Sequence, residues 1–233
     1  FFTSGKSLPV FHWEGVNADN KSIDSSTHYP ALGAYDSHDP QVIRTHVRQA
    51  RESGIDAFIV SWWGRGTFED EAMRPILDGC AAGGLKACIY YEQVAKPGTP
   101  ESVAAEFADI LKRYGNDPAY LKINRDGHDR PVIFIYGRAL QQLGLKKWKT
   151  AARLIADADG PDPILIGDDF GDEALAIFDG AHSYAPMGDL NAALKKGETT
   201  QHWIDRAMPW WANHPRDKGR ISTITVFPGY DDT

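Results

Sequence analysis

The chain predicts an α/β fold of the (β/α)8 TIM-type barrel class, and three observations carry that prediction. Apolar runs of β-type composition alternate with helical patterns along all 233 residues. Those runs are apolar on both faces, which suits strands buried in a parallel sheet. Polar and aromatic residues then gather just after nearly every run: His12, Trp13 and Glu14; Ser61, Trp62 and Trp63; Tyr91 and Glu92; Tyr136; Asp168 and Asp169; Tyr184; Tyr230, Asp231 and Asp232. A barrel collects its active site at the C-terminal ends of its strands.

SLPVFHW (7–13) predicts the first strand, and a long polar loop follows it. Asp39 and Pro40 then open a helix as N-cap and first helical residue. Val42, Ile43, Val47 and Ala50 recur at helical spacing, and Gly54 ends the element. IDAFIVSWWG (55–64) is the second strand, and residues 69–82 form a helix stopped by Gly83-Gly84. LKACIYYE (85–92) is the third strand, followed by a helix over 100–115. RPVIFIYG (130–137) is the fourth, followed by a helix over 138–158. DPILIGD (162–168) leads into a short helix over 172–178. GAHSYAPM (180–187), a helix near 199–213 and RISTITVFPGY (220–230) complete the series.

No G-x-G-x-x-G follows the first strand and no G-x-x-x-x-G-K-[ST] occurs, so a nucleotide-binding doubly wound sheet loses support. Only seven strand–helix units are evident, one fewer than a closed barrel needs, and seven parallel strands would leave two open edges. The opening FFTSGKSLPV also lacks Met and the pattern of a signal peptide. We therefore expect a single barrel domain over 1–233, cut from a longer chain before its last strand.

A net charge of −7 argues against a nucleic-acid partner, and no apolar run is long enough to predict a membrane span. Cys80 and Cys88 sit in apolar surroundings and read as core residues, not a disulfide. Seven Trp and nine Tyr suit either a large core or a cleft whose aromatic faces stack on sugar rings. KKWK (146–149) is assigned no specific role, and no G-x-S-x-G elbow is present.

Glu92 ends an apolar strand, where a carboxylate is costly unless paired or solvated. It is either an ion-pair partner on the rim or a cleft carboxylate that accepts sugar hydroxyls or assists catalysis. Glycoside hydrolysis usually takes two carboxylates, and Glu14, Asp168 and Asp169 are candidates for the second. Trp62 and Trp63 are consecutive, so one ring is expected under the helices and the other at the mouth. His12, His28, His38 and His46 with Asp36 and Asp39 raise a metal site, and a metal-dependent reaction using His12, Asp36 and His38 stands as a minor alternative. The first strand, however, carries FHWEG where many metal-dependent barrels carry H-x-H. Neither a metal nor another cofactor is expected.

HYPALGAYDSHDP, AFIVSWWG, KACIYYE, RPVIFIYG and VFPGYDDT, in that order from Tyr29 to Thr233, resemble glycoside hydrolase family 99 and its relatives. The most specific pieces are YPALGAYDS-x-D, SWWG and PGYDDT. The resemblance implies a (β/α)8 barrel that cleaves α-linked, mannose-containing glycans within the chain and with retention. It implies that the substrate's own 2-hydroxyl acts as nucleophile, deprotonated by one carboxylate while a second protonates the leaving oxygen.

By position, Glu92 matches a family glutamate beside the substrate, and Trp62 or Trp63 a subsite tryptophan. Tyr136 and Tyr184 match cleft tyrosines. Tyr91, Asp36, Tyr230 and Asp231 join them as expected substrate contacts. The resemblance puts the family's catalytic glutamate pair on an eighth strand, in a segment after PGYDDT. Where the family has Pro-Tyr after its glutamate, this chain has Gln93-Val94, so contacts there should differ. The implied partner is an oligosaccharide or polysaccharide, and the resemblance favours a secreted or periplasmic setting. A barrel that binds carbohydrate without cleaving it is the second reading.

Overall fold

The computed structural model describes residues 15–17, 19–23 and 28–226. The expected first strand (7–13), His12, Glu14, Tyr230 and Asp231 lie outside the described residues. The chain divides into two compact units, one running to Ala87 and one from Cys88 to Val226.

In the first unit, helix α1 (Pro40–Glu52) starts as the sequence predicts: the Asp39 carboxylate accepts the Gln41 N–H at 2.7 Å and Pro40 takes the first helical position. Its buried residues are Val42, Ile43, Val47 and Ala50. Strand β1 (Ala57–Trp62) leads to helix α2 (Phe68–Gly83), capped by Thr67. The Asp70 carboxylate is buried but well used, accepting the Trp62 indole N–H at 2.8 Å and the Gly66 N–H at 2.9 Å.

Gly83 and Gly84, read in the sequence as one stop signal, do different jobs. Gly84 adopts φ +73° and ends the helix in the left-handed conformation. Gly83 is still helical, and a Cβ there would lie 2.2 Å from Val47 Cγ1. One turn earlier, a Cβ on Gly79 would lie 2.5 Å from Ile43 Cγ2. The two glycines thus form a bare stripe on α2 into which the branched side chains of α1 settle.

From the third strand onward the elements are β2 (Lys86–Tyr91), α3 (Pro100–Ile110), a π-helical turn (Leu111–Gly115), β3 (Lys122–Arg125), β4 (His128–Ile135), α4 (Gly137–Leu143), α5 (Leu145–Ala156), β5 (Ile164–Gly167), α6 (Asp172–Leu175), β6 (Gly180–Ala181), α7 (Met187–Lys195), α8 (Thr200–Asp217) and β7 (Ile221–Ser222). In the second unit the parallel order is β2-β4-β5-β6-β7, with Ile89 opposite Ile133, Ile133 opposite Leu165, Ile166 opposite Gly180 and Gly180 opposite Ile221. β6 and β7 approach closely because residue 180 has no side chain: a Cβ there would sit 2.7 Å from the Ile221 carbonyl oxygen.

Five elements differ from the sequence expectation, the first being the strand expected over 220–230, which among the described residues spans only Ile221–Ser222. Between 115 and 130, where the apolar pattern predicts nothing, β3 pairs antiparallel with β4 through Asp126-Gly127, both at positive φ. That dipeptide is a strong hairpin signal. The helix expected over 138–158 is two helices broken at Gly144, which sits at φ +80°. The strand expected over 180–187 stops at Ala181, because the Tyr184 N–H turns to the Asp168 carboxylate and Pro186 caps α7. α7 itself was absent from the expected elements.

Behind the sheet, Tyr91, Phe107, Trp148 and Phe178 meet edge to face, with neighbouring ring centroids 4.9–6.3 Å apart. Trp148, from the KKWK segment, is wholly buried and donates its indole N–H to the Ala139 carbonyl at 3.0 Å. Trp203 and Trp211 of α8 anchor a second cluster with Leu190, Phe170 and Leu175. The buried Tyr120 hydroxyl links β2 to β4, accepting the Ile89 N–H at 3.3 Å and donating to the Val132 carbonyl at 3.0 Å. No helix among the described residues is long and apolar enough to cross a membrane.

Two stability outcomes follow. Gly83→Ala is expected to destabilise the protein in urea unfolding. Overpacking against Val47 costs about 1–3 kcal/mol, which exceeds the ~1 kcal/mol gained by replacing a helical Gly. A stabilised variant would contradict the close packing. Tyr120→Phe is expected to cost about 1–3 kcal/mol, since it strands a buried N–H and a buried carbonyl. An unchanged unfolding midpoint would contradict that link.

Candidate active site

The polar groups of the second unit converge just beyond the C-terminal ends of its parallel strands. Backbone bonds set the alignment: Tyr136 N–H to the Tyr91 carbonyl at 3.0 Å, Asp168 N–H to Ile135 at 3.0 Å and His182 N–H to Gly167 at 2.9 Å. Each strand therefore releases its first polar residue at a similar level. Glu92 follows β2, Tyr136 follows β4, Asp168 follows β5, and His182 and Tyr184 follow β6.

Asp168 is a framework acid. One carboxylate oxygen accepts the Gly137 N–H at 3.1 Å and the other the Tyr184 N–H at 2.9 Å. A Cβ on Gly137 would lie 3.0 Å from that carboxylate, so glycine opens the approach. His182 is buried and donates Nε2–H to the Ile135 carbonyl at 3.4 Å. Burial lowers its pKa, outweighing the Asp168 charge and the Ile135 bond that raise it, so the imidazole is held neutral.

Tyr90 lies at the centre. Its ring centroid is 5.7 Å from Tyr136, 5.4 Å from His182 and 5.7 Å from Tyr184. Tyr136 and Tyr184 meet edge to face at 5.0 Å, and the Arg138 guanidinium lies 5.2 Å over the Tyr136 ring. Burial drives the Tyr90 phenol far above its ordinary pKa, and the negative charges of Asp168 and Glu92 push the same way. Its hydroxyl oxygen is buried and makes no hydrogen bond. Tyr184 is raised by burial and then by the Glu92 charge, although its side chain is 58% exposed.

Of the residues singled out in the sequence, Glu92, Tyr136 and Tyr184 are brought together here, and Glu92 is only 7% exposed. Tyr91 is a correction. It faces the helices, wholly buried against Phe107 and Trp148, and hydrogen-bonds Glu106, so it offers no surface to a ligand. Alternation along β2 requires this: if Glu92 faces the cluster, Tyr91 faces away and Tyr90 faces in. That periodicity was the signal that would have found Tyr90. Nothing in the sequence pointed to His182, because the strand before it is two residues long.

The remaining candidates belong to the first unit. Trp62 is 1% exposed and donates its indole N–H to Asp70, so of the consecutive pair it is the ring packed inside. Trp63 is half-buried. Asp36 shapes the turn before α1, accepting the His38 N–H at 2.9 Å, while His38 bonds the Phe68 carbonyl at 2.8 Å and stacks on the Phe68 ring. Among the described residues no group of three His, Cys, Asp or Glu is placed to hold a metal ion. Cys80 and Cys88 are free thiols in the core.

The family model described as "Glycosyl hydrolase family 99" matches residues 10–159. The chain is 33% identical over 249 residues to the glycoprotein endo-alpha-1,2-mannosidase of Xenopus laevis, covering 95% of this chain and 52% of that protein. It is 31% identical over 130 residues to the enzyme of the same name from Mus musculus, covering 53% of this chain and 28% of that protein. The chain thus spans about half or less of the length of these relatives.

Among solved structures, the GH99 endo-alpha-mannosidase of Bacteroides thetaiotaomicron superposes with a TM-score of 0.71 at 28% identity, covering 99% of this chain and 65% of that one. The same enzyme in complex with bis-tris-propane gives 0.71 at 27%, covering 95% and 64%. The fold class is the TIM-type α/β barrel. The sheet is open among the described residues, which such a barrel permits. On the family match the assignment is direct: this chain belongs to glycosyl hydrolase family 99.

Proposed function

We propose that the protein is an endo-acting glycoside hydrolase of α-linked, mannose-containing glycans, and that the strand-end cluster holds the sugar. The observation that carries this is the near-buried Glu92 carboxylate set among Tyr90, Tyr136 and Tyr184 at the C-terminal ends of parallel strands. A carboxylate with aromatic neighbours matches a sugar's two surfaces, since hydroxyls donate to the acid and the C–H face lies on a ring. Asp168 is committed to two backbone donors and so positions Tyr184 and Gly137. In this reading Glu92, only 7% exposed, is the acid that meets the ligand.

Cleavage in this reading proceeds with retention and without an enzyme nucleophile. The substrate's 2-hydroxyl loses its proton to a carboxylate and attacks the anomeric carbon as the bond to the leaving oxygen breaks. A second acid protonates that oxygen. Water then opens the three-membered ring from the opposite face, and two inversions give net retention. Glu92 contributes by holding the hydroxyls of the reacting sugar; the resemblance assigns the acid and base to a segment beyond PGYDDT. No cofactor enters these steps.

Incubating the protein with α-1,2-mannan and glucosylated mannose oligosaccharides, and reading the first-formed product by proton NMR, tests this. Retention predicts the α-anomer first; a β-anomer would rule out 2-hydroxyl participation. Glu92→Gln is expected to weaken binding of α-1,2-mannotriose by at least about tenfold, the worth of a hydrogen bond to a charged acceptor. Binding without turnover by a longer chain that carries the segment beyond PGYDDT would favour a carbohydrate-binding barrel. No binding at all would remove the reading.

A further inference from the structure

The Tyr90 hydroxyl is the one polar group of the cluster whose position the protein itself does not explain. It is buried and makes no hydrogen bond, although the negatively charged Asp168 and Glu92 and the phenols of Tyr136 and Tyr184 all act on it. A buried hydroxyl without a partner costs stability, and native proteins rarely keep one for packing alone, since phenylalanine fills the same space. Two of its polar neighbours are held by the backbone. Asp168 holds two backbone amides and His182 bonds the Ile135 carbonyl.

Tyr90 and Glu92 are two residues apart, so their side chains leave β2 on the same face. One is a donor held in its protonated form and the other a carboxylate acceptor. A sugar hydroxyl is both donor and acceptor and can bridge such a pair. Tyr184, whose ring lies 5.7 Å from that of Tyr90, is 58% exposed and is the movable member of the cover. Exposed side chains change rotamer in picoseconds to nanoseconds.

We propose that Tyr90 is a specificity-determining contact: when the Tyr184 ring moves onto the incoming sugar, the Tyr90 hydroxyl donates to the same sugar hydroxyl that donates to Glu92. This rests on the reading of the cluster as a glycan site and adds which hydroxyl-reading group it contains. The pair reads the orientation of one hydroxyl, because an epimer or deoxy sugar at that carbon leaves the buried Tyr90 donor unmet.

The test is calorimetric titration of wild type and Tyr90→Phe with α-1,2-mannobiose and its monodeoxy analogues, beside thermal unfolding of both proteins without ligand. The expected result is an affinity about tenfold lower for Tyr90→Phe, with an unfolding midpoint equal to or above the wild type. One deoxy analogue should lose affinity for the wild type but little further for the variant. Equal affinities of wild type and variant would overturn this inference and leave the glycan site standing. A variant that binds weakly and also melts several degrees lower would overturn it too, by revealing a structural partner. A wild type that binds no mannobiose would take down the glycan site along with the inference.

Discussion

The site depends on the backbone register of the parallel strands. Three amide–carbonyl bonds, from Tyr136 to Tyr91, Asp168 to Ile135 and His182 to Gly167, lock neighbouring strand ends to a common level. A slip of one residue along β2 would exchange Tyr90 and Glu92 for Tyr91 on the cluster face. The core resists that slip. Tyr91 is fixed behind the sheet by Phe107, Trp148 and Glu106, and Tyr120 ties Ile89 to Val132. The aromatic packing that looks purely structural is therefore what aims Glu92.

The cluster collects groups that a stability-driven design would avoid. Tyr90 keeps an unpaired hydroxyl in the interior, His182 is held neutral by burial, and Glu92 is nearly enclosed. Asp168 makes the arrangement tolerable by binding the first amide of α4 and the amide of Tyr184 at once. The same bond that stabilises Asp168 ends the β6 ladder and turns Tyr184 outward. Local irregularity and the opening of the site have one cause.

Much of the fold was legible because its signals are short-range. Asp39-Pro40, Thr67 and Gly84 mark helix ends through local hydrogen bonding and φ, and the apolar runs at 57–62, 86–91 and 164–167 became strands. The Asp126-Gly127 hairpin was equally legible and went unread. What sequence could not supply was long-range. The break after Ala181 comes from Asp168, which takes the N–H of Tyr184 sixteen residues further on. Tyr136, Tyr184 and Glu92 were singled out by their positions after apolar runs and by resemblance, whereas the inward packing of Tyr91 was not legible because an aromatic side chain's type does not reveal which face it takes. Tyr90 went unread, although alternation along β2 points to it once the direction of Glu92 is known.

The most direct measurement is a crystal structure of the chain with α-1,2-mannotriose bound. The account predicts a mannose ring against Tyr184 or Tyr136, with one hydroxyl within hydrogen-bond distance of the Glu92 carboxylate. A sugar found instead in the groove between α7 and α8, lined by Trp203, Trp210 and Trp211, with the strand-end cluster empty, would contradict it.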